Sequence, residues 1–147
     1  MTQEEKELLI RDLCGRLNYG VKASSPASHL EINTIDGYFV DEDGRKMFHL
    51  SEPDFWQTVD DFQYYLRPMS SMTRKEEKEI LKINSQFCKS NNNDLVESFV
   101  GDADDGYCSI SQMADILDYL NSHHFDYHRP SLISLKLVKE APKGMYK

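Results

Sequence analysis

No stretch of this 147-residue sequence stays apolar for anything near the ~18 residues of a membrane span, so no transmembrane helix is expected. The opening residues, Met1-Thr2-Gln3-Glu4-Glu5, are acidic and contain no apolar h-region, so no secretory signal is expected. Cysteine is scarce and odd in number. Cys14, Cys88 and Cys108 lie far apart without CxxC spacing, which fits reduced thiols of a cytosolic compartment rather than a disulfide framework. Positive charge is also short: 17 Lys and Arg stand against 25 Asp and Glu, a formal charge of −8. That balance disfavours broad nucleic-acid binding through phosphate neutralisation. There is no GxSxG, no P-loop, no GxGxxG and no HExxH, so no standard catalytic or phosphate-cradling motif is present. No internal repeat is visible.

What is present reads as one α+β domain over 1–147. Thr2 followed by Glu5 is a capping-box pattern opening a helix, with Ile10, Leu13, Cys14 and Leu17 on its buried stripe and Leu9 beside them. Glu4, Lys6, Glu7, Arg11 and Asp12 fall on the other face, and Gly20 ends the helix. Strands follow. Asp36-Gly37 and Asp43-Gly44 are both turn dipeptides, so Leu30–Ile35, Tyr38–Glu42 and Arg45–Leu50 are expected to form a three-stranded meander. A two-residue Asp43-Gly44 loop pairs Glu42 with Arg45, Asp41 with Lys46, Val40 with Met47 and Phe39 with Phe48. Two charge pairs and two apolar pairs agree on that register. Its inner face then carries Leu30, Ile32, Phe39, Phe48 and Leu50. Asp41, Glu42 and Asp43 at the tip read as a solvated turn.

Ser51 can cap a helix, Thr58 with Asp61 can restart one, and Phe55, Val59, Phe62 and Leu66 recur at helical spacing, with Trp56 and Tyr65 widening the stripe. They predict one helix or two short ones, stopped at Arg67-Pro68. Thr73 and Glu76 form a second capping box before Ile80, Leu81, Ile83 and Phe87. Lys89–Asp94 reads as a polar loop, and Leu95–Val100 as a strand or a helical turn. Ser109 and Gln112 cap a fourth helix with Ile110, Met113, Ile116, Leu117 and Leu120 inside. The tail from Leu132 reads as a turn of helix followed by extended chain. The expected fold is therefore a small antiparallel meander of three to four strands packed by about four α-helices.

Two segments invite a chemical reading. The acidic run Asp102-Ala103-Asp104-Asp105-Gly106 suggests an EF-hand, but setting Gly106 at its invariant glycine places Gly101, Ala103 and Gln112 at ligand positions. Only Asp105 fits, and a turn is expected instead. The run His123-His124-Phe125-Asp126-Tyr127-His128 is the densest set of metal-ligand and acid–base side chains. His123, His124, Asp126 and His128 are candidate metal ligands, and His124 and Asp126, with Arg67, are candidate catalytic groups. The spacing matches no standard zinc motif. The competing reading anchors Phe125 and Tyr127 in the core and leaves the histidines partly exposed. No cofactor is expected.

Three stretches carry a resemblance: Leu17-Asn18-Tyr19-Gly20-Val21-Lys22, Tyr65 to Thr73, and Leu120 to Tyr127 together with Glu140 to Tyr146. Together they resemble a family of small uncharacterised proteins from phages and mobile elements of gut Bacteroides-type bacteria. The resemblance implies a bacterial cytoplasm and a prophage or mobile-element origin. It carries over no catalytic or binding residue, and it marks Arg67, Pro68, His124, Asp126 and Tyr127 as positions of interest. The leading functional expectation is a non-enzymatic accessory or interaction protein with a protein partner and no membrane partner. The alternatives are a metal-dependent or acid–base enzyme built on His123–His128, and a nucleic-acid-associated or DNA-mimic protein. The acidity is interleaved with Lys and Arg on helix faces, which weakens mimicry. Oligomeric state is not legible.

Overall fold

The computed structural model describes residues 1–51, 54–84 and 110–146. Helix α1 (Gln3–Arg16) starts as its sequence dictates. The Thr2 side chain accepts from the Glu5 backbone N–H, and the Glu5 carboxylate accepts from that of Thr2. The pair removes two of the free donors at the helix start. A 3-10 turn (Leu17–Tyr19) follows, and Gly20 at φ 67 takes the left-handed conformation that ends it.

Seven strands follow among the described residues: β1 (Val21–Ser24), β2 (Asn33–Val40), β3 (Lys46–Leu50), β4 (Phe55–Gln57), β5 (Gln63–Pro68), β6 (Phe125–Asp126) and β7 (Lys139–Glu140). The sheet order is β4-β3-β2-β1-β5-β6, with β7 also on β5. The pairs from β4 to β5 are antiparallel, whereas β6 and β7 run parallel to β5. Helices α2 (Arg74–Asn84) and α3 (Ile110–Ser122) complete the described elements. No described helix is long and apolar enough to cross a membrane.

The mixed α+β character matches the expectation, but among the described residues the strand and helix counts do not. Phe55–Leu66 forms β4, a turn and most of β5, not a helix. The helical spacing of Phe55, Val59, Phe62 and Leu66 coincides with a second, period-2 pattern. Phe62, Tyr64 and Leu66 are buried while Gln63 and Tyr65 are not. Aromatic side chains at alternate positions fit a pleated surface better than a helix face. Ser51 caps nothing; its N–H and hydroxyl both donate to the Thr34 carbonyl. Thr58 and Asp61 do bond, through the Thr58 N–H and hydroxyl to the Asp61 carboxylate, but they close a turn.

The meander differs too. Asp36-Gly37 is no turn, and the two expected strands around it are one, β2, with a bulge between Ile35 and Gly37. At the other dipeptide the loop is one residue longer. The Gly44 N–H bonds the Asp41 carbonyl, the Asp41 N–H bonds the Arg45 carbonyl, and Gly44 sits at φ 77. This is a type I turn closed by a left-handed glycine. Val40 therefore faces Lys46, Phe39 faces Met47 and Tyr38 faces Phe48. A one-residue slip turns side chains to the opposite face. Phe48 and Leu50 are buried as expected, but Phe39, Leu30 and Ile32 are exposed. Asn33 and Ile35 take the inner positions.

The main core packs Leu9 and Leu13 of α1 against Val21, Ala23, Ile35, Phe48, Leu50, Tyr64 and Leu66. A smaller core joins Ile80 of α2 and Ile116 and Leu120 of α3 to Phe125. Each buried Leu, Ile, Val or Phe among them contributes roughly 1.5–3 kcal/mol of transfer free energy. Thr73 and Glu76 close the second capping box as expected. On α3, Met113 and Leu117 are exposed rather than buried. The tail makes a turn from Ser131 to Leu137 and then β7. Lys89–Asp94, Leu95–Val100, the Asp102–Gly106 run, the Ser109 cap, Phe87, Cys88 and Cys108 lie outside the described residues.

Candidate functional site

The His123–His128 segment does not form one site. Its side chains leave the α3 terminus in different directions, each toward its own partners. The His123 ring stacks on Tyr119 at 4.0 Å, and its Nδ1 lies 2.9 Å from the Tyr119 carbonyl and so donates to it. His124 is buried in the left-handed conformation, φ 59, with its ring stacked on Tyr146 at 3.8 Å. Burial, reinforced by the nearby Arg16 charge, lowers its pKa to about 4 despite a hydrogen bond with the Tyr19 backbone. It is neutral at pH 7.

Asp126 is buried and accepts from the Ser131 hydroxyl at 2.7 Å and the Ile133 N–H at 2.8 Å, so it caps the tail turn. Arg67 grips Glu76 with two parallel bonds, 2.7 and 3.1 Å, and lies over the Phe125 ring at 4.2 Å. That contact, chiefly its hydrogen bond, pulls the Glu76 pKa down to about 2. The Arg67 and His124 link is through backbone alone, N–H to carbonyl at 2.8 Å. Among the described residues no group of three or more His, Cys, Asp or Glu is placed to hold a metal ion.

Of the segment's three histidines, His128 is the one bonded to a carboxylate among the described residues, and that carboxylate is Asp12, which the amphipathic pattern of α1 puts on the solvent side. The His128 Nε2 lies 2.8 Å from Oδ1 of Asp12. Asp12 is buried in α1, where the Arg16 Nε and Nη2 donate to it at 2.8–3.0 Å and the Tyr64 hydroxyl donates at 2.8 Å. Arg16 Nη2 also donates to the Phe125 carbonyl at 2.8 Å. Burial pushes the Asp12 pKa up, but the His128 hydrogen bond and the Arg16 charge outweigh it, and the carboxyl is held below its ordinary value. Burial, with the Asp12 charge behind it, raises the Tyr64 phenol well above its own. The cluster ties α1, β5 and the β6 segment together. Both Asp12 oxygens are already engaged by three side chains, so the geometry suits fastening better than turnover.

The buried stripe of α1 is thus Leu9, Asp12, Leu13 and Arg16, spaced 3, 1 and 3. It is rotated by one residue from the apolar reading, and Cys14 is exposed in consequence. An Asp and an Arg four apart on a helix face were the available signal.

The other notable feature is the outer face of the β2–β3–β4 half of the sheet. Phe39 and Trp56 meet edge to face, centroids 4.6 Å apart and planes at 88°. Both are large and well exposed, at 41% and 43%. His49 lies beside Trp56 at 4.8 Å. Its Nδ1 contacts Asp36 at 2.5 Å and its Nε2 contacts Asp54 at 2.6 Å. The Asp54 bond above all, then that of Asp36, raises the His49 pKa. Gly37 makes the arrangement possible. A Cβ there would stand 2.9 Å from the His49 Cβ and 3.2 Å from the Trp56 ring. The bulge and its glycine let both rings lie across β2.

Comparison with known protein families, curated proteins and solved structures finds no match.

Proposed function

We propose that this protein is a non-enzymatic interaction protein, and that it binds a protein partner through the outer face carrying Phe39 and Trp56. The observation that carries the reading is the contrast between the molecule's two notable features. Buried Asp12, Arg16 and Tyr64 are fastened to one another and to His128, while two large aromatic rings stand together, exposed, on the outer sheet face. Adjacent exposed aromatics on a rigid element are what interface anchors consist of. The resemblance of three sequence stretches to phage and mobile-element proteins supports the narrower reading of a cytoplasmic accessory protein encoded by such an element.

Panning a random peptide library against the whole protein tests this. Enriched peptides should bind the wild type and lose at least tenfold in affinity against Phe39→Ala/Trp56→Ala. Enrichment that ignores both substitutions would remove the proposed surface. A second reading, acid–base chemistry at His128, has one observation in its favour. His128 is partly exposed, at 21%, while bonded to a buried carboxylate. It predicts a substrate-dependent activity abolished by His128→Gln.

A further inference from the structure

We infer that the partner segment received by this face is basic and arginine-bearing, with a guanidinium over Trp56 and its charge directed to the Asp36 and Asp54 side. This rests on the preceding reading and adds the chemistry of the occupant.

Charge selects the occupant. Asp36 and Asp54 flank the rings, their side chains 49% and 89% exposed. The β2–β3 tip adds Asp41, Glu42 and Asp43 immediately beyond Phe39 and Val40. Against these five carboxylates stand Arg45, which pairs with Asp41 and Asp43, and the His49 ring. A second copy of the chain would bring the same carboxylates onto this face, and a phosphate backbone would be repelled by them. A basic segment is attracted.

Ring chemistry favours arginine over lysine. The guanidinium is planar, stacks on an indole and presents a fork that suits a carboxylate, whereas an ammonium is a strongly hydrated point charge. His49 already displays the pattern within the chain: a nitrogen ring against Trp56, bonded at both ends to carboxylates. The backbone permits an extended ligand as well. β4 ends the sheet, and no described strand lies beyond it. An added strand would run beside Trp56, main chain pairing with main chain.

Trp56 is the chain's one tryptophan and reports on the site directly. The full chain is titrated at low salt with octa-arginine, octa-lysine and octa-glutamate peptides, followed by Trp56 fluorescence and by calorimetry. Octa-arginine should saturate, octa-lysine should bind at least threefold more weakly, and octa-glutamate should not bind. Phe39→Ala/Trp56→Ala and, separately, Asp36→Asn/Asp54→Asn should each weaken octa-arginine at least tenfold by calorimetry, with circular dichroism unchanged. Equal binding of both cationic peptides that is indifferent to these variants would mean diffuse attraction to the net charge, and overturns the inference. So does a lack of octa-arginine binding. If octa-arginine fails while panning still yields Trp56-dependent peptides of another composition, the basic occupant falls and the interaction surface stands. If panning also yields none, both fall.

Discussion

Removing the Asp12 carboxylate should be among the most damaging single changes available in this chain. In Asp12→Ala the Arg16 guanidinium keeps the Phe125 carbonyl but loses its counter-charge at a site where neither side chain is exposed. Tyr64 and His128 lose an acceptor in the same step. Breaking a buried pair by deleting one partner costs about 3–5 kcal/mol. Against a total stability of about 5–15 kcal/mol this is a large share. At roughly 2–4 °C per kcal/mol for a chain of this size, it should lower Tm by about 6–20 °C.

The assay is reversible unfolding followed by circular dichroism, with urea as a second denaturant of the same variants. Glu7→Ala, which removes the exposed partner of Lys46, serves as the control and should scarcely move the curve. A double-mutant cycle separates the pair from mere loss of volume. Asp12→Leu/Arg16→Met deletes both charges and should cost several kcal/mol less than the sum of its single changes. Additive costs, or an Asp12→Ala penalty below about 1 kcal/mol, would refute the view that the cluster fastens α1 to β5 through a matched charge.

Other consequences follow from the two ends of the sheet. The His49 pKa is raised in the folded chain. The clasp therefore stabilises fully below the unfolded histidine value of about 6.5 and is lost as pH rises through the folded one. Solvent screening limits it to about 1 kcal/mol or less; Trp56 fluorescence should titrate with a midpoint above 6.5, moved down by Asp54→Asn, and a wild-type midpoint at or below 6.5 contradicts it. Glu76 has the opposite sign. Its stabilisation is present above the unfolded value and fades as pH falls toward about 2. Glu76→Gln should lose about 1–2 kcal/mol at pH 7 after allowing for solvent, and the gap to wild type should close in acid-unfolding curves. Gly37→Ala forces its Cβ against His49 and should cost about 1–3 kcal/mol while shifting Trp56 emission; an unshifted spectrum would show that the rings do not depend on that glycine.

Local chemistry in this chain was readable from sequence, and what it left undetermined was register and partner. Thr2 with Glu5, Thr73 with Glu76 and Gly20 end or begin their helices as expected, because each acts on a backbone group within a few residues. The β2–β3 hairpin was readable in position but not in register. Asp-Gly suits both a two-residue turn and a longer loop with a left-handed glycine, and the charge pairs that recommended the first are exposed pairs worth little. The disagreement over Phe55–Leu66 has a similar origin. Phe55, Val59, Phe62 and Leu66 satisfy a period of 3.6, while Phe62, Tyr64 and Leu66 satisfy a period of 2, and only burial against α1 separates the two. The candidate sites show the strongest limit. Asp12 and Arg16 look like solvent-facing residues of an amphipathic helix until Tyr64 and His128 arrive from 52 and 116 residues away. The aromatic face depends likewise on a one-residue loop extension that turns Phe39 outward and on a strand that sequence period read as helix. The Phe39–Trp56 pair is thus the joint product of the two places where local pattern and tertiary pairing disagreed. Local pattern puts both rings in packed stripes, and pairing across the sheet instead places them side by side on its outer face.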